Sequence, residues 1–251
     1  MKQARLLIGI LVFVIFSLLV LRFGPSDVSA SSANQELPGG FNVFLPIVMK
    51  APIVVTPPTP VPQGVYVKDN FTVYKEYGYV HVVGEIANFT NNSLFWPKVP
   101  INYFDSSNNM FGTSSGYTKV DLLPPNKIGC FFTLEQDNGA FSYITMESVS
   151  YSTPWLQVYE LGISNVYNYT DSIGYLHITG ILTNNTGGDI EFGKAIATVY
   201  STEGKVIACD IGYSNADIIS NGASSGFEIL TSIPDGYTLR DFSLATEGRR
   251  P

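Results

Sequence analysis

The segment Gly78-Tyr79-Val80-His81-Val82-Val83-Gly84-Glu85-Ile86-Ala87-Asn88 returns 96 residues later as Gly174-Tyr175-Leu176-His177-Ile178-Thr179-Gly180-Ile181-Leu182-Thr183-Asn184. The same offset carries Phe104 onto Tyr200, Tyr117 onto Tyr213 and Phe131 onto Phe227, with no net gap from Gly78 to about Leu134. A register held over that length marks a tandem duplication, so the chain must build one unit twice. The expected copies run over 65–152 and 156–248, preceded by an N-terminal export segment at 1–30 and a Pro-rich linker at 31–64.

Composition says what kind of unit it is. Charged residues make up only 14% of the 251, while aromatics reach 13% beside 23 Gly and 15 Pro. Rings fit a pleated surface, and Gly and Pro interrupt helices, so the sequence predicts sheet rather than a helix bundle. In the first copy the expected strands are 65–74, 79–88, 99–104, 110–113, 117–120, 128–134 and 143–151, separated by polar turns such as Thr90-Asn91-Asn92-Ser93. Seven short strands in about ninety residues match an immunoglobulin-like sandwich. The fold class is therefore all-β, two tandem immunoglobulin-like β-sandwich domains. Alternation places Val80, Val82, Gly84 and Ile86 on a core face, and Tyr79, His81, Val83 and Glu85 on the opposite face. Gly84 and Gly180 are expected where a neighbour comes close, since an interior strand glycine otherwise weakens a sheet.

The alternating strand closing on Gly-x-hydrophobic-x-Asn, followed by a polar loop and the strand Ile101-Asn102-Tyr103-Phe104-Asp105, resembles the bacterial FxLYD family of extracellular immunoglobulin-like modules. Leu123-Pro124-Pro125-Asn126 ahead of the Phe-bearing strand 128–134 fits the same pattern. The second copy reads Ala197-Thr198-Val199-Tyr200-Ser201 and lacks the Asp, which leaves the turn-capping role of that carboxylate open there. The resemblance spans about 180 residues and implies a fold and an extracytoplasmic setting, with no chemistry to transfer.

The N-terminus supports that address. Lys2 and Arg5 precede an uncharged apolar run from Leu6 to Leu21, and Val28-Ser29-Ala30 offers small residues for cleavage after Ala30. The rival reading is an uncleaved anchor that touches the membrane only through residues 1–22, because the run approaches spanning length. Either way the positive flank stays inside and the rest lies outside the cytoplasm. Formal net charge is −7. Loss of residues 1–30 leaves 11 basic and 20 acidic residues, a balance of −9 that disfavours nucleic acid and anionic lipid as partners. Pro52, Pro57, Pro58, Pro60 and Pro62 favour an extended polyproline II spacer. The apolar run from Phe41 to Met49 reads as a strand or clip against the first domain, with a sorting or docking role as the alternative.

Chemistry is sparse. His81 and His177 are repeat equivalents; a paired metal or pH-sensing site is conceivable, but no ligand cluster surrounds either in sequence, and duplicated outward-facing residues explain them better. No nucleophile-elbow motif accompanies them, and paired carboxylates cannot be assigned. Asp105-Ser106-Ser107-Asn108-Asn109 suits a calcium loop on residue type, yet its counterpart contains Lys205, so a hairpin turn is favoured. Cys130 and Cys209 occupy non-equivalent positions in different copies, which favours two buried thiols over a bridge. Sequons at Asn70, Asn88, Asn91, Asn168 and Asn184 are read as chance products of Asn-rich loops. Trp155, in the short junction Ser152-Thr153-Pro154-Trp155, is expected to wedge between the domains. Trp96 is expected at the core or an edge, with an exposed anchor for a sugar ring or protein partner as the alternative.

The sequence thus predicts a non-enzymatic exported cell-surface protein that acts as spacer or protein-interaction module, its partner an unknown envelope protein or glycan. No catalytic, cofactor or metal residue is assigned. The alternative is a carbohydrate- or ligand-binding surface module that uses exposed aromatics and Asn-rich loops.

Overall fold

The computed structural model describes residues Gln63–Pro251; the export segment, the Phe41 to Met49 run and most of the Pro-rich linker lie outside the described residues. The described residues form one compact unit. The described residues are strands and turns throughout, so the fold is all-β.

In the first copy β3 (Tyr79–Phe89) is the centre of one antiparallel sheet. On one side it pairs with β1 (Gly64–Val67) and β2 (Thr72–Glu76), on the other with β7 (Lys127–Gln136). The second sheet is centred on β4 (Leu94–Asp105). Its neighbours are β5 (Met110–Tyr117) and β6 (Leu122–Leu123) along one edge, and β8 (Phe141–Met146) and β9 (Ser150–Ser152) along the other. The second copy repeats this plan. Strands β11 (Gly162–Thr170), β12 (Tyr175–Thr183) and β16 (Ser224–Ser232) make one sheet. Strands β10 (Val158–Tyr159), β17 (Leu239–Arg249), β13 (Ile190–Ser201), β14 (Val206–Tyr213) and β15 (Ile218–Ile219) make the other. The first and last residues of β4, β5 and β6 fall on those of β13, β14 and β15 at the sequence offset of 96. Several expectations shift in detail: 65–74 breaks into β1 and β2, 143–151 breaks into β8 and β9, 99–104 lengthens to Leu94–Asp105, and 110–113 extends to Tyr117, so that 117–120 is not a strand of its own.

The core follows the alternation. Val80, Val82 and Ile86 in one copy and Leu176, Ile178 and Leu182 in the other are fully buried. Gly84 sits in register with Phe131, and Gly180 with Phe227. A Cβ on either glycine would lie 3.0 Å or less from the Phe ring, so each glycine makes the space its cross-strand Phe fills.

The two copies meet head to tail. The face of β3 and β7 that alternation turns away from the first core is covered by β13, β14 and β17 of the second copy. Val83 and Ala87 are fully buried there and Glu85 is only 3% exposed, whereas Thr179, Ile181 and Thr183 on the equivalent face of β12 remain half-buried. Ile196, Val206 and Cys209 of the second copy belong to the first copy's apolar cluster. The expectation of two free thiols is overturned: Cys130 and Cys209 are joined across the seam, with their Cα atoms 5.8 Å apart. The non-equivalence of the two positions is a consequence of head-to-tail packing, because the seam uses a different sheet from each copy. Linking residues 79 apart removes about 4.5 kcal/mol of unfolded-chain entropy on the loop-closure model.

The repeated Asn88 and Asn184 explain two of the sequons. Both are fully buried. Asn88 donates through Nδ2 to the carbonyls of Asn92, Leu123 and Pro124 at 2.8 to 3.0 Å, and its Oδ1 accepts from Thr90. Asn184 holds Gly188 and Ile219 in the same way and accepts from Thr186. The Asn-x-Thr pattern is here a loop clamp, closed to a glycosyl transferase. Replacing Asn88 or Asn184 by Ala strands two or three buried carbonyls and should lower unfolding free energy by about 3 kcal/mol in urea titration. A loss within error of zero would mean that the loops close without the clamp.

Candidate functional site

The seam carries two buried polar clusters. In the first, Glu85 accepts from the Tyr200 hydroxyl through Oε1 at 2.6 Å, and from Lys68 Nζ and Asn70 Nδ2 through Oε2 at 2.6 and 2.7 Å. Burial, reinforced by the Glu85 carboxylate, pushes the Tyr200 phenol up to about 12. This cluster borders a cleft of about 540 Å³ between the copies, with Ile128, Leu123, Ile196 and Ala245 among its apolar walls. Both Glu85 oxygens are occupied, Oε1 by Tyr200 across the seam and Oε2 by Lys68 and Asn70 of its own copy.

The second cluster joins Lys194 to Glu247 at 2.8 Å and to Asp121 at 3.3 Å. Lys194 also donates to the Lys119 carbonyl at 2.9 Å, Glu247 accepts from the Asp121 amide at 2.7 Å, and Arg249 pairs with Asp121. Burial raises the Glu247 carboxyl, with Lys194 opposing. Burial also works against ionised Asp121, but Arg249 and Lys194 outweigh it and hold that carboxyl below the usual range. Two carboxylates against two cations leave the cluster electrically neutral. Beside it lies a pocket of about 180 Å³ whose lining includes Asp121, Phe192, Lys194, Tyr213 and Arg249.

Both tryptophans gather on this side of the molecule. Trp155 does not wedge between the copies; it is 69% exposed, because the junction runs over the surface. Its ring meets Trp96 at 5.9 Å and 78°, and both rest on Phe95, which is fully buried. Trp96 is not in the core: it is 40% exposed while its ring stacks on Phe95. Its indole Nε1 donates to Asp121 Oδ1 at 3.3 Å, tying the aromatic pair to the charged cluster.

The histidines have separate surroundings. His177 is held between Glu228 at Nδ1, 2.6 Å, and Asp171 at Nε2, 3.2 Å, and stacks on Tyr169 with ring centroids 4.5 Å apart. With a carboxylate at each nitrogen the ring is stabilised as imidazolium, and hydrogen bonds to Glu228 and then Asp171 raise its pKa. His81 stacks on Tyr74 at 4.8 Å, and its Nε2 lies 3.2 Å from the Glu76 carbonyl. It lines a crevice of about 280 Å³ at the seam with Asp210, whose carboxyl burial pushes up. Among the described residues no group of three His, Cys, Asp or Glu side chains could hold a metal ion. Asp105 caps a turn: Oδ1 accepts from the amides of Ser107 and Asn109 at 2.8 Å, and the Asn109 hydrogen bonds lower its carboxyl. Ser201 Oγ takes the corresponding amides of Glu203 and Lys205, so the hydroxyl replaces the missing Asp.

No family model matches the chain, and no curated relative does. Among solved structures, an exo-chitosanase from Amycolatopsis orientalis aligns at 11% identity and a TM-score of 0.25, covering 72% of this chain and 26% of that one. Red sea bream transglutaminase aligns at 10% identity and 0.22, covering 73% of this chain and 32% of its own. The chain thus spans about a third or less of either structure, and likeness at this level carries no argument about activity.

The His177 bridge has a signed pH dependence. Its folded pKa is raised above the unfolded 6.5, so the stability it contributes is full below that value and is lost as pH rises through the folded pKa. Urea midpoints of the chain and of His177→Gln should differ most at mildly acidic pH and converge on the alkaline side. A gap that widens with rising pH would contradict the imidazolium assignment.

Proposed function

We propose that this chain is a non-enzymatic exported surface protein, in which two immunoglobulin-like units of the FxLYD kind are locked into one rigid block that presents surfaces to an envelope protein or glycan. The observation that carries the reading is the Cys130–Cys209 bridge across the seam. Disulfides persist in oxidising compartments and are rare in the cytosol, so a bridge at this position is in accord with the export segment read at residues 1–30. Its position also suits presentation. Together with the Glu85 and Lys194 clusters it fixes one copy against the other, which a catalytic hinge would not require and a presenting scaffold does.

Further support comes from how the polar groups are spent. Glu85, Glu247, Lys194, Asp105 and His177 are each engaged in structural hydrogen bonds or ion pairs. The stalk read from the prolines at 52–62 would hold such a block off the membrane or wall. No helix among the described residues is long and apolar enough to cross a membrane, and the apolar run at Leu6 to Leu21 lies outside them.

Thiol trapping in intact producing cells tests the reading. Alkylation before lysis, followed by mass spectrometry, should find Cys130 and Cys209 unmodified and recovered as one bridged peptide pair. Full alkylation of both would sink the export reading.

A further inference from the structure

The seam side that carries Trp96 and Trp155 has a feature that packing alone does not require. Trp96 has φ of 48°, a left-handed conformation that costs a bulky residue about 1 kcal/mol or more. The residue 96 positions on, Phe192, has φ of 52° and is 58% exposed. Each lies at a break in strand register, between Phe95 and Lys98 in β4 and between Glu191 and Lys194 in β13. A bulge of this kind re-aims a side chain. Both copies therefore hold an aromatic ring in a strained backbone and leave it partly exposed, 40% for Trp96 and 58% for Phe192. Asp121 links the two positions: it accepts from the Trp96 indole, and it lines the neutral pocket at the seam together with Phe192.

We propose that this corner is a binding site for neutral pyranose saccharide. Sugar rings carry C–H faces that stack on indole and hydroxyls that bridge carboxylate and guanidinium, and the site supplies both. The near-perpendicular indoles of Trp96 and Trp155 form the apolar corner, and the Asp121–Arg249 ion pair, hydrogen-bonded to the Trp96 indole, stands beside it as the polar group a sugar hydroxyl would meet. The balanced charges of Asp121, Glu247, Lys194 and Arg249 select a neutral ligand over a strongly ionic one. Because Asp121 comes from the first copy and Arg249, Lys194 and Phe192 from the second, the site exists only when the copies are joined.

The chain contains two tryptophans, and both are in the site, so intrinsic indole fluorescence reports on nothing else. The test uses the full chain with cellohexaose, chitohexaose, maltohexaose and mannohexaose as probes. At least one should give a saturable shift in emission and protect the indoles from iodide quenching. Trp96→Ala and Trp155→Ala each leave one indole as reporter and should weaken that response roughly tenfold or more, as for an aromatic hot spot. Phe192→Ala should weaken it with both indoles in place, and Tyr143→Ala, on a ring stacked against Phe104, should not. Circular dichroism melting confirms that each variant folds. The proposal is overturned if none of the four saccharides gives a saturable response, or if the response keeps full strength in each of the two single tryptophan variants.

Discussion

A carboxylate taken out of water alone is costly enough to unfold a domain, and Glu85 is taken out of water by the neighbouring copy. The structure meets that cost from both sides of the seam, with Lys68 and Asn70 from the first copy and the Tyr200 hydroxyl from the second. The second copy is thus part of the solvation of the first, and removing it would take away the Tyr200 partner of Glu85 and uncover the apolar Val83 and Ala87 beside it. The same logic holds for Lys194, whose partners Asp121 and the Lys119 carbonyl come from the first copy and Glu247 from the second. Between these two clusters runs the disulfide, flanked by Ile196 and Val206. Backbone closure adds to it, since the Val206 amide donates to the Asn70 carbonyl at 2.8 Å and Lys205 Nζ to the Asp69 carbonyl at 2.9 Å.

Head-to-tail packing explains why two copies of one unit have diverged where they have. Glu85 aligns with Ile181, Cys130 with Gly226 and Cys209 with Thr113. The seam residues appear once because each copy offers a different sheet to it. The faces left over, on β11, β12 and β16 of the second copy and on β4, β5 and β8 of the first, mix polar residues such as Thr179 and Asn102 with exposed rings such as Tyr167 and Tyr117.

Much of this was legible in the residues, and the illegible part has a physical cause. The repeat, the all-β class and the core face of β3 followed from offset and alternation, and the Gly84–Phe131 fit from the cost of a glycine inside a strand. Asp105 as a turn cap followed from side-chain chemistry, though the replacement by Ser201 could be seen only in the hydrogen bonds. The disulfide was missed for want of one step. Cys130 neighbours Phe131, which is core, so alternation turns it outward beside Glu85, where a solitary buried thiol has no place. Outward Val83, Glu85 and Cys130 together were the available sign that another surface covers β3. Trp155 and the left-handed Trp96 were not readable, because which way a short junction runs and where a bulge falls depend on the packed sheets.

The central claim is that the seam makes the two copies one thermodynamic body. Scanning calorimetry of the oxidised chain tests it directly through the ratio of calorimetric to van't Hoff enthalpy. The account predicts a single transition with a ratio close to one. Two separable transitions, or a ratio near two, would mean that each copy melts alone, and that the ion pairs and disulfide tether the copies without coupling them.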